Sequence, residues 1–181
     1  MADTEIPKAE IEREVQNRVI RVIKKNLPIY NHIGYLSDTE NTNIRSEVLK
    51  KFLIEKQKLT EPQAYKAINE LLLHTGCQFY DDLYTKNKDV YYMLRQRKQV
   101  KGKVGELSSQ TVYIDWKHPS ENIFEIAEEV TVRRDIEDYK NRRPDIVIYV
   151  NGIALVIIEL KASHVSVSDG IRQQNRNQRE N

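Results

Sequence analysis

The sequence predicts an α/β fold, a mixed β-sheet flanked by helices with a small helical insertion before the sheet. Helical periodicity dominates the first half of the chain, and β-branched, alternating segments dominate the second. The densest apolar run, residues 143–161, is divided by one Asn-Gly pair, the strongest short-range signal for a β-hairpin. A chain of 181 residues has room for one domain with a substantial core, and we predict a single domain over 1–181.

Helices are predicted wherever apolar residues recur at helical spacing between recognisable start and stop signals. They are a helix between Pro7 and Pro28, a helix over about 44–56, and a helix from the N-cap Thr60 to Gly76, the last two forming a helical insertion at about 43–76. A final helix from Ile171 has almost no apolar face. We therefore expect the native protein to continue beyond Asn181.

Strands are predicted in the second half, within a core at about 105–181. Their predicted ranges are 111–116, 122–132, 144–150 and 154–161. The segment 78–103 allows two interpretations, because tyrosines punctuate it and it ends in a string of Arg and Lys. It is either a solvated helix end and loop or a phosphate-contacting strip with aromatic residues nearby.

Composition limits the class of protein. The formal net charge is only +2, so a nucleic-acid surface must come from local clusters of Lys and Arg. The single cysteine, Cys77, excludes an internal disulfide framework and any multi-cysteine metal site. The sequence has no signal-peptide pattern, no apolar run long enough to span a membrane and no P-loop string. These observations predict a soluble, cytoplasmic protein.

Three charges border the hairpin strands, where an unpaired buried charge costs several kcal/mol. Glu159 and Lys161 are two residues apart and project from one side of a strand. Asp145 shares that face only if the turn shifts the pairing by one residue. A strict two-residue Asn-Gly turn would point the carboxylates apart, so we predict a three-residue loop, 150–152, with a bulge.

A converging pair of carboxylates has a chemical use. Asp145, Glu159 and the main-chain carbonyl of Leu160 would form an oxygen-only site suited to Mg²⁺, which polarises a phosphodiester and activates water. Lys161 would supply positive charge for the nucleophile or the developing phosphorane. The bare spacing also arises by accident on half-buried hairpins.

The string Arg143-Pro-Asp-Ile-Val-Ile-Tyr-Val-Asn-Gly-Ile-Ala-Leu-Val-Ile-Ile-Glu-Leu-Lys161 resembles the nuclease core of the restriction (R) subunit of type I restriction-modification enzymes. Residues 122–132 and the Ser-Asp-Gly-Ile-Arg-Gln of 168–173 also look like that family. The resemblance implies a restriction-endonuclease-like PD-(D/E)xK core. It makes Asp145 and Glu159 metal ligands and Lys161 the catalytic lysine.

The resemblance also suggests supporting residues. Gln173 falls where the family has a Q-x-x-x-Y helix, although Asn177 replaces the tyrosine. A glutamate of the first helix often completes the metal site in related nucleases; Glu10 or Glu14 could serve, with Glu14 preferred, and a surface carboxylate at the helix N-terminus is the alternative. Phosphate contacts or a plain solvated face remain open for the arginines Arg142, Arg143, Arg172, Arg176 and Arg179.

The implied function is Mg²⁺-dependent endonucleolytic cleavage of double-stranded DNA within a larger restriction subunit. Modification and specificity subunits are the implied partners, and ATP would be needed only by a motor beyond this chain. A stand-alone nuclease acting on DNA ends or junctions, and a non-catalytic DNA-binding or assembly module, are the alternatives. A DNA site cannot be assigned from these residues.

Overall fold

The computed structural model describes residues 8–36, 42–75, 82–102, 107–131 and 143–160. Its elements are α1 Lys8–Asn26, β1 Tyr30–Tyr35, α2 Ser46–Glu55, α3 Glu61–Thr75, α4 Leu83–Arg95, β2 Lys98–Val100, β3 Ser109–Thr111, a 3₁₀ helix Pro119–Glu121, β4 Phe124–Glu128, β5 Ile146–Val150 and β6 Ile153–Ile158. The strands form a four-stranded sheet in the order β1-β4-β5-β6 and a two-stranded sheet of β2 and β3. The predicted α/β class, with helices and a mixed sheet, is confirmed.

The chain divides into two compact units. The first comprises Met1–Asn41, Glu125–Ile148 and Leu155–Asn181, and the second comprises Thr42–Phe124 and Tyr149–Ala154. The hairpin of β5 and β6 contributes to both, because its turn belongs to the second unit and its open end to the first.

The core of the first unit explains why α1 is amphipathic. Ile20 of α1, Ile126 of β4 and Ile146 of β5 are all at most 5% exposed and pack together. Partly buried apolar side chains surround them, namely Val19, Ile23, Tyr30, Ile158 and Leu160. Burial of an aliphatic side chain contributes about 1.5–3 kcal/mol, so this cluster holds α1 against the sheet strands whose ends carry the predicted site.

The second unit is larger than the predicted helical insertion. The two predicted helices are present as α2 and α3, and they bury Leu49, Phe52, Leu53, Ala64, Ala67, Ile68 and Leu71. To them the structure adds α4 and the β2–β3 pair, in which Lys98 lies opposite Thr111. Asp82 caps α4 by accepting hydrogen bonds from the backbone N–H groups of Tyr84 and Thr85.

Two predicted strands are too long. The strand over 111–116 is wrong beyond Thr111, because the Asp115 carboxylate accepts hydrogen bonds from the backbone N–H groups of Lys117 and His118 and turns the chain. The strand over 122–132 shrinks to β4. It ends at Glu128 because Glu129 has a φ of 43°, in the left-handed region that a strand cannot continue through.

The predicted three-residue hairpin loop is also wrong. Asn151 and Gly152 alone connect β5 to β6, and their φ values of 52° and 79° are those of a two-residue type I′ turn. A two-residue turn pairs Val150 with Ile153 and hence Asp145 with Ile158, so the turn alone directs the Asp145 and Glu159 side chains to opposite faces of the hairpin.

The turn is fixed by its neighbours in the second unit. The fully buried Asn151 side chain accepts a hydrogen bond from the Ile123 N–H and donates to the Tyr113 carbonyl and to Asn122 Oδ1, at 2.7–2.9 Å. A Cβ on Gly152 would stand 2.5 Å from the Arg45 carbonyl oxygen. The dihedral angle and the close approach therefore require glycine at position 152, and the three hydrogen bonds of the buried side chain favour asparagine at position 151.

Within the residues that the structure describes, no helix is long and apolar enough to cross a membrane.

Candidate active site

The open end of the hairpin brings Asp145 to the Glu159–Leu160 peptide. Asp145 immediately precedes β5, and Glu159 immediately follows β6. Asp145 Oδ2 accepts a hydrogen bond from the Leu160 N–H at 2.5 Å, and all three residues are partly buried. The structure thus joins the two predicted carboxylate-bearing segments at the main chain, next to the carbonyl predicted as the third ligand.

A network of buried hydrogen bonds holds the backbone of Asp145 in place. Gln16 of α1, which is 4% exposed, donates through Nε2 to Glu128 Oε2 at 3.0 Å and to the Asp145 carbonyl oxygen at 3.1 Å. The other carboxylate oxygen of Glu128, Oε1, lies 2.6 Å from His32 Nε2. Since a buried carboxylate without partners is costly, this network holds α1, β1, β4 and the start of β5 in one arrangement.

The first helix presents Gln16, and not the predicted Glu14, to this end of the sheet. Residues two positions apart on an α-helix, such as Glu14 and Gln16, are separated by about 200° around its axis. Glu14 is therefore exposed on the side opposite to the buried Gln16. No cluster of three His, Cys, Asp or Glu residues that could hold a metal occurs in the described part of the chain. The structure therefore does not bring Glu14 together with Asp145 and Glu159. The side chain of Glu10 lies outside the described residues.

Three contacts hold Glu129 beside Asp145. Its N–H donates to the Asp145 carbonyl oxygen at 3.1 Å, and its carboxylate pairs with Arg13 at 3.2 Å and with Arg143 at 3.3 Å. A left-handed backbone at a residue other than glycine is uncommon and concentrates at functional sites. Arg143, predicted to contact phosphate, is 62% exposed and therefore shares its charge between Glu129 and solvent.

The donor set fits Mg²⁺ by its chemistry. In the predicted set Asp145 and Glu159 would supply carboxylate oxygens and Leu160 a main-chain carbonyl, with no nitrogen or sulfur ligand. Mg²⁺ is bound through one or two carboxylates and keeps several waters, so it does not require a third acidic side chain. Two carboxylates without a third are therefore compatible with this ion.

Several predicted residues lie outside the described part of the chain. They are Lys161, Arg142, Arg172, Gln173, Arg176 and Arg179, together with Cys77. Their predicted roles stay predictions.

Comparison with known families decides the class of protein. The family model described as "Type I restriction enzyme R protein N terminus" matches residues 10–181. The chain belongs to this family. This confirms the resemblance found in the sequence, and it does so over nearly the whole chain.

A relative of this R protein N-terminal domain also has a name from the type I restriction enzymes. The chain is 34% identical over 83 residues to a protein of Methanocaldococcus jannaschii named "Putative type I restriction enzyme MjaVIIIP endonuclease subunit". The match covers 44% of this chain and only 8% of the relative's length.

Sequence analysis missed the residues behind the site. Gln16, Glu128 and His32 lie far apart in sequence. Gln16 precedes Glu128 by 112 residues, and His32 precedes it by 96. His32 showed no metal-ligand spacing, because its partner is a carboxylate on another strand. The available signal was Glu128 itself, a charged residue at the end of an apolar strand.

Proposed function

We propose that the chain is the nuclease domain of a type I restriction enzyme R subunit and cleaves double-stranded DNA endonucleolytically in the presence of Mg²⁺. Membership of the R protein N-terminal family supports the class of activity. The observation that carries the residue assignment is the hydrogen bond from the Leu160 N–H to Asp145 Oδ2, because it places one carboxylate at the backbone of the segment that bears the other.

In this proposal Asp145, Glu159 and the Leu160 carbonyl hold the ion. When bound, Mg²⁺ supplies charge that polarises a phosphodiester and lowers the pKa of the attacking water. The chain's own residues supply the geometry. The Leu160 N–H fixes the rotation of the Asp145 carboxylate, while Gln16 and Glu129 fix the Asp145 backbone by donating to its carbonyl oxygen.

Preorganisation of this kind matters because a displacement of about 1 Å in a reacting group can cost about 10²-fold in rate. Lys161 is proposed as the cation that stabilises the nucleophile or the developing negative charge on phosphorus. Arg142, Arg143, Arg172, Arg176 and Gln173 are proposed as contacts to the DNA backbone.

The larger assembly is part of the proposal. The matched region makes up 8% of the M. jannaschii relative, and we propose that this chain works beside an ATP-driven motor and with modification and specificity subunits that select the DNA site. The domain itself would then cleave without reading sequence.

The test is restriction of a plasmid by the full complex in Mg²⁺ with single substitutions in this domain. Asp145→Ala and Lys161→Ala are each expected to abolish cleavage while leaving DNA binding and ATP hydrolysis by the complex intact. Glu14→Gln is the matched control, because that carboxylate is exposed and is expected to be dispensable. Full cleavage by both Asp145→Ala and Lys161→Ala would show that the proposal is wrong.

A further inference from the structure

A cleft in the second unit combines a tryptophan ring with basic side chains. It lies where the C-terminal end of α4 meets the loop after β3, and it has a volume of about 310 Å³. The residues that matter for its chemistry are Arg95, Arg97, Asp115, Trp116, Lys117 and His118. We call it the Trp116 cleft.

The indole of Trp116 is held in place with its ring accessible. Its Nε1 donates to the Leu94 carbonyl oxygen at 2.7 Å, yet the residue remains 52% exposed. The Arg95 guanidinium lies over the Trp116 ring, 5.3 Å from its centroid, and over the ring of Tyr91 at 5.8 Å, so a base would stack on the part of the indole that this cation leaves exposed. Because the polar edge of the indole is already satisfied, what it offers a ligand is an aromatic surface.

The charge of the Trp116 cleft favours an anion. Three cationic side chains, Arg95, Arg97 and Lys117, line it together with one carboxylate. That carboxylate, Asp115, accepts hydrogen bonds from the N–H groups of Lys117 and His118, and its side chain is only 18% exposed. It therefore shapes the loop and opposes an approaching phosphate less than an exposed carboxylate would.

Aromatic surface beside several cations is the combination that binds single-stranded nucleic acid. Bases stack on the rings, and arginine and lysine neutralise the phosphates between them. A duplex fits less well, because its base faces are already covered by their neighbours in the stack. Protein partners are less suited too, since they lack a regular line of negative charge.

We propose that the Trp116 cleft binds an unpaired stretch of DNA, with a base stacked on Trp116 and the flanking phosphates on Arg95, Arg97 and Lys117. The proposal deepens the nuclease function and rests on it for the identity of the nucleic acid as DNA. It assigns to the second unit a contact with an unpaired strand, separate from the residues proposed for cleavage.

The chain contains a single tryptophan and ten tyrosines, so emission excited beyond the tyrosine absorption reports on Trp116 alone. The 181-residue protein is titrated with oligothymidylate in EDTA, where no metal-dependent cleavage can occur. Stacking of a base on Trp116 is expected to quench the emission. A duplex of the same length is expected to bind about 5- to 150-fold more weakly, since losing a base–aromatic stack costs about 1–3 kcal/mol.

Variants are measured by the anisotropy of a labelled oligothymidylate. Trp116→Ala is expected to weaken binding about tenfold, and Trp116→Phe to restore most of the affinity because it keeps an aromatic face. Arg97→Ala should lower the slope of log K against log salt by about 0.7, the value for one phosphate contact on a single strand. Lys66→Ala, an exposed lysine of α3 that does not line the cleft, is the control and should leave both quantities unchanged.

Absence of quenching, or equal binding of single strand and duplex, would overturn the proposal, as would unchanged affinity in Trp116→Ala. The outcome is separate from the nuclease proposal. Asp145→Ala should bind oligothymidylate as the unsubstituted chain does, and loss of plasmid cleavage in the full complex is scored independently of quenching.

Discussion

Replacing Gln16 with leucine tests whether α1 positions the site or merely covers the sheet. Leucine is of similar size and apolar, so α1 keeps its packing while two hydrogen bonds are lost, one to the Glu128 carboxylate and one to the Asp145 carbonyl oxygen. A hydrogen bond to a charged group contributes about 1.5–3 kcal/mol and a neutral one about 0.5–1.5 kcal/mol. We therefore expect the free energy of unfolding to fall by about 2–4.5 kcal/mol.

Gln16→Leu should also alter the cleavage reaction, in addition to lowering the stability of the fold. Without Gln16 the Asp145 carbonyl oxygen loses a donor, so cleavage by the full complex should slow at saturating Mg²⁺ and the Mg²⁺ concentration for half-maximal rate should rise. Gln16→Glu is a stricter variant, because it keeps the shape, removes the donor and sets a second carboxylate against Glu128.

Urea denaturation of the chain and plasmid cleavage by the complex measure the two effects. Asn17→Leu is the matched control, because Asn17 is the neighbouring residue of α1 and its side chain is exposed. The reasoning is refuted if Gln16→Leu and Asn17→Leu have the same stability and the same Mg²⁺ dependence.

Two further predictions concern stability. Gly152→Ala should cost about 2–5 kcal/mol, from about 1–2 for the left-handed backbone and about 1–3 for the contact with the Arg45 oxygen; Gly34→Ala, which has a φ of 71° and nothing within 4 Å of its Cβ, should cost only the first part in urea denaturation. Burial tends to raise the pKa of Asp115, but hydrogen bonds from His118 and the neighbouring backbone outweigh it and hold that pKa below the ordinary 3.8. The folded state thus favours the carboxylate, so its contribution is complete above pH 3.8 and is lost as the pH falls through the lowered pKa. The melting temperature of the native chain should fall more steeply with acid than that of Asp115→Asn, and parallel curves would contradict this.

The fold class could be predicted from the sequence because the signals for individual helices and strands are local. Helix α1 is bounded by prolines, α3 starts after Thr60, and the hairpin is marked by Asn-Gly, so each element could be recognised from neighbouring residues. Helix α4 was missed because its polar and aromatic residues leave none of its side chains fully buried, and such a helix has little periodicity to detect.

The site was predictable in part. Asp145 and Glu159 stand out as charges at the ends of apolar strands, and the structure brings the segments that carry them together. The predicted three-residue loop was wrong, because Asn-Gly is itself the local signal for the two-residue type I′ turn that is found, and the longer loop was inferred from the expected convergence of the carboxylates and not from the turn residues. The Gln16–Glu128–His32 network, in contrast, depends on contacts between distant segments.

The central claim is that Asp145 and Glu159 together hold a divalent ion. A crystal of the chain soaked in Mn²⁺, which has the same preference for oxygen ligands as Mg²⁺, gives an anomalous signal at the ion itself. We predict one peak bounded by the carboxylates of Asp145 and Glu159 and the Leu160 carbonyl, and no such peak in a soaked crystal of Asp145→Ala. An anomalous map with Mn²⁺ bound elsewhere and none between these two carboxylates would contradict the account.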